Sequence, residues 1–437
     1  MTDLPAFFLF ATALLCALEA WSSDNDKSAL LWICALTGCG ILSGSVRQIY
    51  WVTGICFLTV LSVKRIRSAP GRILIALCTL LTLAFGYAAS RWLAHQPYVP
   101  VEDSLQQLLQ MGWPELLHGG IGEPLRDFIG LSVLCIPLTL PLAWSQFRRT
   151  PIWLHCIILA ASIVLPIRLA QPMPWIGNTI TNYGIILSGT VSLGGKPVLL
   201  SAFLMLVLAA LGIASMAYAV KTLKLPTNIP LRRFLLLTVP FLLLYTVVLC
   251  LRSPGFGIFD RYLIPHLFIV TALLLAVNPK QLSTVTLATS VVFIMYSLAT
   301  THDYFAEARA RLEATNEVRS AGHPRTEIIS SFEYDAWTQL ELTGHVNNEH
   351  VLYPSTAYHQ TDDCNGPDET QAWWRTLEPA IAARFVITLS PLDGLQPSPF
   401  PPVSYNRWLP PGRYQILIQQ VDKQSPALTC QFDPNEQ

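Results

Sequence analysis

Four places along the chain set ionisable side chains against long apolar runs. Asp3 stands in TDLP, just ahead of the first run; Arg47 and Gln48 fill a short turn in LSGSVRQIYW; Arg252 closes a later run; Asp260 and Arg261 open the next in FDRYLIP. A charge held at the edge of an apolar segment is costly unless it is paired or used. The planar fork of arginine suits phosphate or pyrophosphate oxygens through two parallel N–H bonds, which the point charge of lysine matches less well. A carboxylate in the same place can take a proton from an acceptor hydroxyl or amine, or hold a divalent metal. The plain alternative for each is structural. Asp260 and Arg261 can form a local ion pair, Arg47 can snorkel to the interface, and Asp3 can be an ordinary helix N-terminal acid favoured by the dipole. Glu19, Arg168, His155 and His266 read as structural. GxSxG and HExxH are absent from the sequence, as is any nucleophile with a recognisable base. The tail histidines His302, His323, His345, His350 and His359 lack metal-ligand helix spacing, and without CxxC a cysteine zinc site is unsupported.

Elements must position these side chains, and composition says what kind. Of 437 residues, 52% are hydrophobic and 13% charged, against about 25% charged in a typical soluble chain. The apolar residues come in runs too long for a soluble core, which excludes a cytosolic enzyme. The formal net charge of zero is a sum of opposites: residues 1–300 hold 19 Lys/Arg and 10 Asp/Glu, and residues 301–437 hold 9 and 18. Such a shift marks a membrane domain, 1–299, followed by a water-exposed domain, 300–437.

A helix needs roughly 20 apolar residues to cross about 30 Å of hydrocarbon. Ten stretches are predicted as spans: 4–21, 29–46, 48–63, 73–91, 128–146, 152–170, 197–220, 234–251, 262–278 and 281–299. Of the two alternating sets of connections, one carries 12 basic residues and the other, with its span ends, 7. The richer set is cytoplasmic by the positive-inside rule. The chain start, the loops 92–127, 171–196 and 252–261, and the tail from about 300 then face outward. No basic leader precedes the first run, so a cleaved signal peptide is not expected.

Eight cysteines lie in apolar spans, where a thiol behaves as a small hydrophobe. Cys364 and Cys430 stand alone in the tail and are a disulfide candidate if that compartment is oxidising. The tail reads as a charged helix over 304–320, then β-rich runs at Glu327–Phe332, Arg384–Leu389 and Tyr414–Val421 separated by Pro/Gly-rich stretches such as 391–402. This predicts a small α/β or α+β domain. In the outer loop 92–127, Leu105, Leu108, Leu109 and Trp113 recur at helical spacing, as in a helix lying in the interface, either plugging the bundle or admitting a lipid substrate. Loop 171–196 is Gly-rich but has neither GxGxxG nor a Walker A sequence, so a nucleotide site is unsupported. Nucleic acid is not an expected partner.

Three segments carry a family likeness: TDLPAFFLFATALLCALEAW, ALTGCGILSGSVRQIYW and FDRYLIPHLFIVTALLL. They resemble membrane glycosyltransferases of the GT-C fold, in the family 39 group that includes protein O-mannosyltransferases and bacterial lipid A aminoarabinose transferases. The resemblance covers most of residues 1–299 on short, degenerate motifs. It implies transfer of a sugar from a polyprenyl-phosphate carrier to a lipid, glycan or protein acceptor at the outer face of a bacterial inner membrane. It assigns Arg261, with Tyr262 in the RYLIP stretch, to the carrier phosphate, beside Arg252. It makes Asp3 a second acid of the outer cavity, and matches Arg47 and Gln48 to the family's RQ turn. No cofactor follows beyond a divalent metal that a carboxylate could hold. Family members begin with an outward span, a large outer loop bearing the principal acid, and two more spans, whereas this sequence starts where the fourth span would. The expectation is therefore a truncated chain or a degenerate member that binds lipid without transferring sugar. The rival readings are a transporter or flippase of a lipid-linked saccharide, and a non-catalytic partner in envelope assembly. Against transport stand the lack of inverted-repeat symmetry and the few midplane charges.

Overall fold

The computed structural model describes residues 3–64, 66, 68–100, 112, 122–169, 180–185, 188–221, 228–256, 260–277, 283–348, 350–357 and 372–421. Two compact units divide the chain: Met1–Leu93, Asp103–Ile176 and Leu206–Ser290 form the first, and Ala94–Glu102, Gly177–Met205 and Val291–Gln437 the second. The interfacial helix predicted around Leu105–Trp113, His359, and the pair Cys364 and Cys430 lie outside the described residues.

The first unit is helical. Its helices are α1 (Asp3–Ser22), α2 (Asp26–Val46), α3 (Trp51–Lys64), α4 (Ala69–Ala94), α5 (Glu123–Leu134), α6 (Ile136–Phe147), α7 (Ile152–Leu169), α8 (Ala202–Val220), α9 (Ile229–Phe256) and α10 (Ile264–Val277). α11 (Thr284–Ser320) follows, a single 37-residue helix that joins the predicted last span and the predicted tail helix without a break and belongs to the second unit from Val291 on.

Every predicted span coincides with helix, but the lengths do not support all ten crossings. Among the described residues six helices are long and apolar enough to cross a membrane, or seven if a bent pair counts as one. That pair is α5 and α6, bent by 83°. The bend falls at Cys135, just before Pro137, whose ring lacks the N–H that would continue the ladder. α3 and α10 have 14 residues each, about 21 Å at 1.5 Å per residue, short of the hydrocarbon thickness. A multi-pass membrane chain is what these helices support.

Packing agrees with an apolar solvent. Leu4, Phe8, Leu15, Leu77, Leu80 and Leu81 are exposed, as expected where lipid rather than water surrounds the helix. The interior face of α1 is mostly small residues at helical spacing: Ala6, Ala13, Ala17 and Ala20, with the large Phe10 among them, pack with Ile33 and Leu36 of α2, Phe57 and Leu61 of α3, and Leu237, Phe241 and Tyr245 of α9. Phe10 stacks on Phe241 at 4.7 Å between ring centroids. Close backbone approach substitutes for the missing hydrophobic drive in lipid; a Cβ on Gly40 would meet the Gly54 Cα at 3.0 Å. Ser43 Oγ donates to the Ala6 carbonyl at 2.9 Å, tying α2 to α1.

The second unit holds α12 (Phe332–Thr343) and a five-stranded sheet of β1 (Ile328–Ile329), β2 (Phe385–Thr388), β3 (Leu395–Pro397), β4 (Val403–Trp408) and β5 (Pro411–Val421). The order is β1-β2-β5-β3, with β4 also on β5. Among the described strands only β1 and β2 pair in parallel. Strand alternation sorts the core onto two faces. Ile328, Phe385 and Ile387 join Ala310, Ala314 and Val318 of α11 on one, and Ile329 and Val386 join Trp374 and Ile381 on the other. The predicted runs mark β1, β2 and β5. β3 and the alternating VSYNRW of β4 follow from, or lie beside, the Pro-rich stretch read as a separator, and α12 was not predicted.

Two buried acids sit in this unit. Asp335 accepts from the Ser330 N–H at 3.0 Å and from Trp374 Nε1–H at 2.9 Å. Burial nonetheless pushes its carboxyl up to about 7. Burial, and then the neighbouring Asp335 charge, pushes Glu378 up to about 9.

Candidate functional site

Three helix ends converge at one end of the first unit. α1 begins at Asp3. α2 runs antiparallel to it in the same bundle and stops where Arg47 turns extended, φ −144° and ψ 112°, its N–H still bonded to the Ser43 carbonyl. A short 3₁₀ turn, Asp260–Leu263, leads into α10, with Pro265 in the first turn where its missing N–H costs nothing.

The turn geometry brings charge together across large sequence distances. Arg47 Nε donates to Asp3 Oδ1 at 2.7 Å and Nη2 to Oδ2 at 3.1 Å, a bidentate pair whose side chains are 25% and 20% exposed. Arg261 Nε lies 4.0 Å from Asp3 Oδ2 and is more exposed, at 42%. Both guanidiniums sit 5.7 Å from the ring centroid of the buried Tyr262, within cation–π range. Below it Tyr50 and Tyr245 are buried with ring centroids 5.8 Å apart. Two arginines thus flank one carboxylate over an aromatic floor.

Gln48 takes a different place. It lines a cavity of about 400 Å³ with Gly44, Ser45, Trp51, Phe85, Ala88 and Trp92 at the same end of the helices. The cavity is apolar apart from Gln48 and its serines. Gly44 lets the Trp51 ring of the cavity wall pack close, because a Cβ there would sit 2.4 Å from that ring.

Of the residues singled out by sequence, Asp3, Arg47, Arg261 and Tyr262 are brought together, and Gln48, next to Arg47 in the chain, lines the cavity instead. The side chains of Arg252 and Asp260 lie outside the described residues. Asp3 stands in the first turn of α1, as its structural alternative had it, and Arg47 engages both its oxygens, an ion pair the sequence did not suggest. A carboxylate held this way is poorly placed as a base and well placed to fix a guanidinium. Sequence reasoning missed the aromatic floor of Tyr50 and Tyr245; the only signal for it was a tyrosine beside the RQ turn. Among the described residues no three His, Cys, Asp or Glu side chains group closely enough to hold a metal.

Compared with protein-family models, curated proteins and solved structures, the chain matches none.

Proposed function

We propose that the chain is a membrane glycosyltransferase of the GT-C type that takes a sugar from a polyprenyl-phosphate carrier at the outer face of a bacterial inner membrane. One observation carries the reading: Arg47 and Arg261 meet around Asp3 at a helix end beside a 400 Å³ apolar cavity. A phosphate on an apolar tail needs both a guanidinium pair and an apolar slot, and the two are adjacent here. In the proposed step the acceptor oxygen or nitrogen bonds to the anomeric carbon with inversion as the bond to phosphate oxygen breaks. The electron pair leaves with the phosphate, and the arginines stabilise its charge. The acceptor proton passes to a carboxylate. Asp3 positions Arg47, and Arg261, the more exposed guanidinium, meets the phosphate.

The bidentate engagement of Asp3 favours a second reading, in which the same site binds the lipid phosphate without transfer. The purified full chain in lipid nanodiscs separates them. Binding of polyprenyl phosphate together with sugar transfer to an acceptor supports the enzyme. Saturable binding without transfer supports the second reading. Arg261→Ala is expected to abolish both activities while the protein still purifies folded. Wild-type binding and transfer in that variant would remove the phosphate assignment.

A further inference from the structure

The second unit holds ionisable groups that the helix-end cluster does not explain. Lys196, Asp303, Glu307, Arg311 and Arg407 gather there, each side chain no more than 5% exposed. Lys196 Nζ is 3.4 Å and Arg311 Nε 3.7 Å from the same oxygen, Glu307 Oε1. Arg407 Nε is 3.6 Å from Asp303 Oδ2. Three cations therefore share two carboxylates, and Arg311 also feels the more distant Asp335, whose carboxyl burial pushes up to about 7.

Those carboxylates are already committed elsewhere. Asp303 accepts the backbone N–H of Trp408 at 2.7 Å and of Leu409 at 2.8 Å, and His302 Nδ1 lies 3.0 Å from it. Glu307 accepts from Ser192 Oγ at 3.3 Å. Among the described residues, Arg407 Nε and Nη1 and Arg311 Nε are buried without a hydrogen-bond partner. Lys196, Asp303, Glu307 and Arg407 line one cavity of about 20 Å³, with Tyr183 and Tyr304.

Buried guanidinium N–H groups without hydrogen-bond partners and an excess of positive charge are both strongly unfavourable, even with the Asp303 carboxylate at 3.6 Å and the Tyr414 ring at 5.3 Å from Arg407. A water would meet the hydrogen-bonding need but leave the charge. The volume decides the size of an occupant, since roughly 10–15 Å³ of such space holds one water. Phosphate, sulfate or a carboxylate group is too large. We propose that this cavity binds a single halide-sized anion, chloride under physiological conditions, held by the Arg407 N–H groups and the Lys196 ammonium.

The test uses the purified full chain in detergent. At constant ionic strength, the thermal midpoint should rise saturably when sodium gluconate is replaced by sodium chloride or bromide. Arg407→Gln should remove that dependence. In crystals grown in bromide, an anomalous peak should lie within hydrogen-bond distance of Arg407 Nη1, which tests the site even if the variant fails to fold. Identical midpoints in gluconate and chloride, or a bromide map with no peak in the cavity, would overturn the proposal.

Discussion

The pair between Asp3 and Arg47 is the contact most open to a quantitative test, because its geometry sets the size of the effect. Two N–H···O bonds of 2.7 and 3.1 Å join side chains that are 20% and 25% exposed. A hydrogen bond to a charged group contributes about 1.5–3 kcal/mol when buried, and an exposed ion pair at most about 1 kcal/mol. Three-quarters burial places the coupling between these limits, at about 1–2 kcal/mol. The perturbations are Asp3→Asn, which keeps shape and removes charge, Arg47→Gln, and the two combined. Unfolding of the full chain in mixed micelles by a denaturing detergent gives the free energies, and the double-mutant cycle isolates the pair. The singles should each destabilise and the double should cost less than their sum by that coupling. Binding of polyprenyl phosphate should weaken about tenfold in Asp3→Asn, the fold-change equivalent of about 1.4 kcal/mol, because Arg47 loses the anchor that orients it. Coupling below about 0.5 kcal/mol, which is the scatter of additive sites, would refute the view that Asp3 holds Arg47 in place. Wild-type stability with lost transfer in Asp3→Asn would instead point to Asp3 as the proton acceptor.

Other outcomes follow from the second unit and from helix packing. The buried acids make stability depend on pH with a definite sign: their folded values, about 7 and about 9, lie above the ordinary 3.8 and 4.5, so the folded state keeps protons the unfolded chain has released. Their contribution is complete below about pH 4 and is lost as pH rises through 7 for Asp335 and then 9 for Glu378. Lys196, pushed down by burial, acts the other way at alkaline pH, so wild type minus Asp335→Asn is the difference to measure between pH 5 and 8; a flat or rising difference would contradict the assignment. Gly194→Ala should destabilise the full chain by at least about 1–2 kcal/mol, since φ is +85° and the new Cβ would lie 2.7 Å from the Ser390 nitrogen; an unchanged melting curve would show that this turn yields freely. In α8, Gly212→Leu should lower the thermal midpoint, because even a Cβ there would sit 2.8 Å from the Val133 nitrogen of α5. A midpoint equal to wild type would mean that the two helices do not need this approach.

Much of the architecture was legible in the chain. Long apolar runs force helix wherever water is absent, because the backbone has no other way to satisfy its polar groups, and each of the ten runs coincides with helix. The doubling of charge density past residue 300 falls close to where the second compact unit takes over at Val291, and the runs IIS, RFVITL and YQILIQQV marked three of the five described strands. The candidate arginines were also legible as residue types in costly places. Helix length and continuity were not: the break at Cys135 depends on how the chain packs around Pro137, and α11 runs through the point where composition changes because no Gly or Pro interrupts it. β3 escaped notice because it is three residues long and ends in proline.

Tertiary structure alone decided which charges meet. Asp3 and Arg47 are 44 residues apart and Arg261 lies more than two hundred further on, so no local pattern could state that one carboxylate would be shared by two guanidiniums. The same holds for the second unit, where Lys196 reaches Glu307 and Asp303 reaches Arg407. Burial and local periodicity act over a few residues and can be read in order along the chain. Ion pairing acts through space, and its partners are chosen only once helices and strands have packed.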